Sequence, residues 1–336
     1  MNWGAADAAP DAWWPPGVVY AQPDVRPTLS IILVNWNTAE LLCRCLETVL
    51  ASPPGQEAEV VVVDNASIDD SVARVRERFP QVRVIQNPAN VGFARANNQG
   101  AHECSGDVLL LLNTDTEVRE GALEALTDFI TSHDDVGIVG PRLVSPDGSV
   151  QSSCRTEPGL LNALLEALAL TRLAPRSRLF GRPEMTWFDH HSALDVDYVS
   201  GACLAIRREL WNQLGGFDEG FFFYGEDADL CRRARQAGFR VAYFPEAEVL
   251  HLGGASAARV GPRKAIEGYR AALRFARKHH GRAYAVAMEA VIALGTALRL
   301  VASLPRRGDA ARAQRQAYWA VLRWLFRPGA RPGAPW

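Results

Sequence analysis

The chain has 336 residues, 48% of them hydrophobic and 22% charged, with a formal net charge of -2. That length allows one large domain or two modest ones. The near-neutral balance excludes broad phosphate-backbone binding, which needs a basic face, so no nucleic-acid partner is expected. Six cysteines (Cys43, Cys45, Cys104, Cys154, Cys203 and Cys231) form no CxxC pair and no metal-type spacing. Met1 is followed by an Ala-, Pro- and Trp-containing stretch with Asp7 and Asp11, not by a basic region and an apolar run. A reducing cytoplasm is the compartment these features fit.

Residues 1–27 carry Pro10, Pro15, Pro16, Pro23 and Pro27 and are expected to lack regular structure, although Trp3, Trp13 and Trp14 are unusual there. From Leu29 strand and helix patterns alternate. Leu29–Val34 is a short apolar run, and Thr38 is expected to cap a helix reaching about Leu50. Val60–Val63 is a second strand ending at Asp64. Ile68–Phe79 then reads as a helix with Asp69 and Asp70 in its first turn. Val82–Gln86 is a third strand, Phe93–His102 a helix, and Val108–Leu112 a wholly apolar strand expected to be covered on both faces. Gly121–Ser132 is again helical. This order predicts a doubly wound, mainly parallel sheet, with ligands bound beyond the carboxyl ends of the strands. Asn35, Asn37, Asp64, Asn65, Asn113 and Asp115 fall there. No GxGxxG follows the first strand and no GxxxxGK[ST] occurs, which speaks against a dinucleotide oxidoreductase or a P-loop phosphotransferase.

Residues 155–195 break the rhythm. An apolar helical run, Leu160–Leu173, leads into a Pro/Arg-containing stretch with His190 and His191, read as an acceptor-side wall or lid. Val196–Ile206 returns to strand-like sequence. Next, Gly215–Gly216–Phe217–Asp218–Glu219 and Tyr224–Gly225–Glu226–Asp227–Ala228–Asp229–Leu230 crowd carboxylates into an aromatic loop, with a helical pattern from Leu230. Two readings fit: carboxylates whose mutual repulsion raises a pKa for general-base work, or acids favoured in a first helical turn. Beyond Arg259 basic residues outnumber acidic ones. Tyr284–Leu304 is apolar except for Glu289 and Arg299, and an Arg-rich, aromatic end follows. The two charges and Gly295 speak against a membrane-spanning helix. A core helix with a solvated basic end, or peripheral attachment to an anionic bilayer, both fit.

Several motifs line up in order: SIILVNWN at 30–37, VDNASIDDS at 63–71, NVGFARANNQG at 90–100, NTDTE at 113–117, and the GGFDE and GEDADL segments. Together, from about Leu29 to Gly254, they resemble the family-2 glycosyltransferases of the GT-A fold, most closely their rhamnosyltransferase-type bacterial branch. The resemblance implies a nucleotide-diphosphate sugar as donor, transfer to an acceptor hydroxyl with inversion, and a divalent cation (Mg²⁺ or Mn²⁺). L-rhamnose from dTDP-rhamnose is the donor it implies. A glycan or polyprenyl-diphosphate-linked saccharide is the expected acceptor, and the inner face of the cell membrane the expected place.

On this resemblance Asp227 is the catalytic base, with Glu226 orienting it or binding acceptor and Asp229 as an alternative base. Asn35, Trp36, Asp64, Asn65, Arg95, Asn113, Thr114 and Gly201 are donor-binding candidates. Asp64 would accept a hydrogen bond from a pyrimidine N–H or cap a helix, and Trp36 would stack on the base or pack as core. Asn97 and Asn98 are expected to fix loop backbone. Asp115 resembles the metal-binding aspartate of the family's DxD motif. Asn113 stands where the fullest form of that motif has Asp, which implies weaker metal binding. His251 is a further metal ligand or a structural histidine. Residues 28–117 would form the nucleotide-binding half, 118–256 the acceptor and catalytic half, and 257–336 a helical, basic extension. Two other readings compete with this one. A sugar nucleotidyltransferase would want a basic Gly-rich loop after the first strand, and a catalytically inactive nucleotide-sugar-binding partner would lack the acidic set present here.

Overall fold

The structure is a computed structural model, and it describes residues 28–51, 58–253 and 263–326. The segment 1–27 with its tryptophans, Gly254 and the end from Arg327 lie outside the described residues.

In the first half, strands β1 (Leu29–Asn35), β2 (Ala58–Asp64), β3 (Arg83–Gln86) and β4 (Val108–Asn113) alternate with helices α1 (Ala39–Ala51), α2 (Ser71–Arg78) and α3 (Phe93–His102). β5 (Thr116–Val118), α4 (Ala122–Ser132), β6 (Val136–Val144), β7 (Cys154–Arg155), α5 (Leu160–Ala167), β8 (Leu194–Asp195) and β9 (Tyr198–Val199) follow. β10 (Cys203–Arg207), α6 (Arg208–Leu214), α7 (Glu226–Gln236) and β11 (Arg240–His251) complete this part. The main sheet runs β3-β2-β1-β4-β10-β6-β11-β5, with β8 paired to β11 and a separate β7–β9 ladder. β1 to β4 pair in parallel, as do β6 and β11, whereas β10 is antiparallel to β4 and β6.

Both faces of the central strands are buried because successive side chains point to opposite sides. Ile31, Leu33, Val62, Leu110 and Leu112 face one core with α1 and α4. Ile32, Val61, Val63, Leu109 and Leu111 face the other with α3, α6 and α7. Three helices follow: α8 (Arg263–His280), α9 (Arg282–Ser303) and α10 (Asp309–Leu325). α9 buries Ala285, Met288, Ile292, Gly295, Thr296 and Leu300 and packs along α5, α8 and α10.

The mixed, mostly parallel sheet is the one expected, and the differences are local. α1 begins at Ala39, whose N–H is taken by Asp69 (3.1 Å), while the Thr38 hydroxyl donates to Asn35 and does not cap the helix. α2 begins at Ser71, not Ile68, because 66–70 form a turn in which Ala66 has φ 60° and Ile68 is 94% exposed. The 160–173 run is a shorter helix followed by a 3₁₀ turn, broken at Ala169 (φ 54°). Val196–Ile206 is two strands, not one, since Ser200–Ala202 turn between β9 and β10. α7 begins at Glu226, four residues before the expected Leu230, because Gly225 (φ 83°) turns the chain into the helix there.

Candidate active site

The carboxyl ends of β1, β2 and β4 build a floor of amides and hydroxyls. Asn35 Nδ2 donates to Asp64 Oδ1 (2.8 Å) and to Ser67 Oγ (3.0 Å), and Ser67 N–H returns to Asp64 Oδ2 (3.0 Å). Thr38 Oγ1 donates to Asn35 Oδ1 (2.7 Å) and lies 2.9 Å from Thr114 Oγ1, which ties β1 to the turn after β4. Asn65 accepts from Asn87 (2.9 Å) and donates to Gly92 O (3.2 Å). Asn35, Asp64 and Asn65 are each almost fully buried, and Trp36 is half-buried beside them. Such networks fix side chains when every member is satisfied.

Beyond β4, Asp115 is buried and faces His251 from the end of β11, with His251 Nε2 at 3.4 Å from Asp115 Oδ1. Gln151 Nε2 donates to Ser145 Oγ (3.0 Å) and to His251 O (2.8 Å), so its Oε1 accepts from His251 Nδ1–H (2.7 Å). In the neutral ring this assignment leaves the lone pair on Nε2, which is buried without a hydrogen-bond partner. A carboxylate oxygen and an imidazole lone pair turned towards each other form a donor set that fits a divalent cation, with Gln151 orienting the ring. Among the described residues no cluster of three or more His, Cys, Asp or Glu could hold a metal, so the protein side offers these two.

The aromatic loop before α7 is latched to the donor half. Phe93 N–H donates to Phe222 O (2.8 Å), and Gly92 (φ 91°) sits so close to Phe222 that a Cβ there would meet its carbonyl at 2.8 Å. Asn98 holds the GGFDE backbone by donating to Phe217 O (3.0 Å) and accepting from Phe217 N–H (2.9 Å). Asn97 donates to Phe93 O (2.9 Å) inside α3, so Asn98 fixes loop backbone as expected while Asn97 braces its own helix.

Asp227, in the first turn of α7, accepts from Gly201 N–H (3.0 Å) and from Ala228 N–H (2.8 Å). Gly201 lies next to Ala202, whose carbonyl accepts from Asn113 N–H (2.9 Å), so short contacts link the end of β4 to Asp227. Burial pushes the Asp227 carboxyl above its ordinary range, opposed by those N–H groups and by the Arg155 guanidinium. Glu226 is raised well above by burial and by its neighbour Asp227, and its Oε2 is buried without a partner.

Asp229 is turned elsewhere. It is fully buried and held by Arg233 (2.8 Å), Lys278 (2.7 Å) and His279 (2.7 Å). Lys278 Nζ also lies 2.8 Å from Asp218 Oδ2, and Arg274 lies 2.6 Å from Asp218 Oδ1. One ammonium from α8 therefore bridges the GGFDE and GEDADL segments. Burial would raise Asp218, but Lys278, the Gly220 N–H and Arg274 hold it down at about 2.

The structure gathers Asn35, Asp64, Asn65 and Thr114 in one network, pairs Asp115 with His251, and joins Gly201 to Asp227. Trp36 and Asn113 border the floor. Arg95 stands apart on α3, largely exposed, with Glu219 at 3.7 Å. Sequence reasoning missed Gln151, Ser67, Asn87 and the α8 cations. Gln151 carries no sequence signal towards a histidine 100 positions away. The Arg277–His280 run resembles any helix end complementing its dipole, and only the need of Asp218 and Asp229 for counter-charges pointed further.

The mixed, mostly parallel sheet with the acidic segments near its carboxyl edge has the GT-A fold. The family described as Glycosyl transferase family 2 matches residues 30–213, and one described as N-terminal domain of galactosyltransferase matches 186–260. The chain belongs to glycosyltransferase family 2. It is 32% identical over 238 residues to an N-acetylglucosaminyl-diphospho-decaprenol L-rhamnosyltransferase of Mycobacterium tuberculosis, covering 66% of this chain and 75% of the relative. It is 30% identical to an O-antigen biosynthesis protein of Myxococcus xanthus, covering 68% of this chain and 18% of that longer protein. A Pyrobaculum calidifontis mannosyltransferase solved with GDP-Man and Mn²⁺ shares the fold at TM-score 0.54 and 19% identity, over 92% of this chain and 84% of that one.

Proposed function

We propose that the protein is an inverting, metal-dependent hexosyltransferase that moves L-rhamnose from dTDP-rhamnose to a hydroxyl of a polyprenyl-diphosphate-linked or other cell-envelope glycan. It would work at the inner face of the cell membrane. The observation that carries this reading is Asp227: a half-buried carboxylate with a raised pKa, fixed by the Gly201 and Ala228 N–H groups at the carboxyl edge of the sheet. The name of the mycobacterial relative supports both the sugar and a lipid-linked acceptor.

In this reading Asp227 takes the proton of the acceptor hydroxyl as that oxygen attacks the anomeric carbon from the face opposite the diphosphate. A raised pKa brings the base closer to working pH and strengthens it in the transition state. One base without a nucleophilic carboxylate partner suits direct displacement and therefore inversion. Asp229 is turned away from the role, fully buried under Arg233 and Lys278 with His279 bonded to its Oδ1. Glu226, whose carboxyl burial raises well above its ordinary range, has an unpartnered buried Oε2 that would bond an acceptor hydroxyl once the loop admits one.

On the donor side Asp64 keeps lone pairs for a pyrimidine N–H, Trp36 borders the base, and Arg95 is free enough to reach a phosphate. Asn65, Asn113 and Thr114 shape the floor beneath the diphosphate. Asp115 and His251 would hold a divalent cation, which when bound neutralises the leaving diphosphate.

The test is thermal stabilisation by nucleotide sugars with and without Mn²⁺ or Mg²⁺. Expected is a metal-dependent shift, larger for dTDP-rhamnose than for UDP- or GDP-sugars; a larger shift with another sugar discards rhamnose. Asp227→Asn should lower turnover by roughly 10²–10⁴ while keeping the donor shift, and unaltered turnover removes Asp227 as base.

A further inference from the structure

We infer that α5, the arginine-rich segment after it and α9 form one docking face for an anionic bilayer leaflet, with α9 lying in the plane of the membrane and not across it. α9 is long and apolar enough to span, at 22 residues with a mean hydropathy of 1.8 over its most apolar 18-residue stretch. One of its faces, however, is buried in the protein. The opposite face presents Val286, Ala290, Leu294, Leu298 and Val301 to solvent at helical spacing, without a charge among them. At 1.5 Å per residue this stripe is about 22 Å long.

α5 lies against α9. Tyr284 Oη accepts from Leu160 N–H (2.8 Å), Arg299 donates to Glu166 O (2.8 Å), and Ala167 occupies the space that a side chain at Gly295 would need. α5 and its continuation expose Leu161, Leu164, Leu168, Leu173 and Leu179. Between 160 and 182 stand Arg172, Arg176, Arg178 and Arg182, all exposed, against the single acid Glu166.

Exposed leucines bordered by arginines have the chemistry of an interfacial surface: the apolar groups enter the headgroup boundary and the guanidinium groups pair with lipid phosphate. A spanning α9 would have to leave the body it is packed into. Its neighbours hold it on both sides, α8 through the Lys278 and His279 contacts with Asp229, and α10 through Arg315, which bonds Ser303 O (3.0 Å) and Arg306 O (2.9 Å). The orientation of the cleft towards this leaflet rests on the lipid-linked acceptor proposed above; the docking itself does not. β7 leads into the arginine-rich segment, and its Arg155 acts electrostatically on Asp227, so docking holds the acceptor side of the cleft near the headgroups.

The full chain is mixed with vesicles of phosphatidylcholine containing about a third phosphatidylglycerol, without donor or acceptor, and sedimented. Expected is binding that is lost on pure phosphatidylcholine and in high salt. Leu164→Glu/Leu168→Glu, Leu294→Glu/Leu298→Glu and Arg172→Glu/Arg176→Glu should each weaken it about tenfold or more, with the melting temperature and the donor-induced thermal shift retained. As a second readout, Leu168→Cys carries a polarity-sensitive fluorophore, since all six native cysteines are buried, and its emission should shift to the blue on anionic vesicles. Unchanged binding in the α5 and arginine variants with no shift of the fluorophore overturns the inference. So does a dimer dispersed by the same substitutions without vesicle binding, which assigns the face to a second copy. Protease protection of the two ends of α9 on opposite sides of a sealed vesicle overturns it as well. A transfer assay that fails while vesicle binding holds counts against the proposed reaction alone.

Discussion

The polar floor at the ends of β1, β2 and β4 and the acidic start of α7 solve the same problem, holding buried polar groups, by opposite means. The floor is mostly neutral: Asn35, Thr38, Asn65, Ser67, Asn87 and Thr114 satisfy one another around the single carboxylate Asp64, and all of them come from residues 28–117. The start of α7, with the GGFDE loop, is ionic and depends on groups from far along the chain. Asp218 and Asp229 take Arg274, Lys278 and His279 from α8, some 50–60 positions away. The placement of these cations is informative. Arg274 and Lys278 neutralise Asp218 and Asp229, with His279 as a hydrogen-bond partner, while Asp227 between them receives backbone N–H groups and keeps a raised pKa. A cation placed directly on Asp227 would weaken it as a base. Counter-charge set one step away steadies the helix and leaves Asp227 its raised pKa, as the proposed base requires.

This contrast is broken most severely by Asp229→Ala. The change strands Arg233, Lys278 and His279 in a buried site and should cost roughly 3–5 kcal/mol, measured by denaturant unfolding. A loss below about 1 kcal/mol would make the ion cluster ornamental. Asp218→Asn comes next, at about 2 kcal/mol near neutral pH. A carboxyl held down at about 2, from an ordinary value of 3.8, contributes stability that is full above the ordinary value and is lost as pH falls through about 2. The difference between wild type and variant should therefore close across that window in melting scans; a constant difference would mean the ion pairs do not carry it. The neutral floor should respond least. Thr38→Val should cost about 1 kcal/mol, with no dependence on pH between 4 and 8, because no ionisation of its own is involved.

Legibility in the sequence follows the same division. The floor is legible because its polar residues sit at the ends of apolar strands, where a doubly wound sheet binds ligands: Asn35, Asp64 and Asn65 follow from position, whereas Thr114 comes from the family resemblance alone. β6 was passed over because Gly137, Gly140 and Pro141 interrupt its apolar run; in the fold Phe239 and Val199 lie against those glycines, where a side chain would not fit. The start of α7 was placed late because crowded acids suggested a loop, whereas Gly225 and a first helical turn accommodate them. Gln151 and Lys278 were out of reach for a simpler reason. Their partners are tertiary, and nothing in the local spacing distinguishes them from an ordinary loop glutamine or a solvated lysine.

The bridge made by Lys278 bears on how such enzymes can be recombined. The matched family regions end at residue 260, before the helix that carries this lysine. A chimera joining residues up to 260 to the C-terminal helices of a relative would inherit every acidic motif, yet its stability would depend on whether the new helix brings an arginine, a lysine and a histidine to the same turns. The segment recognisable by descent stops one helix short of the cations that its own buried acids use.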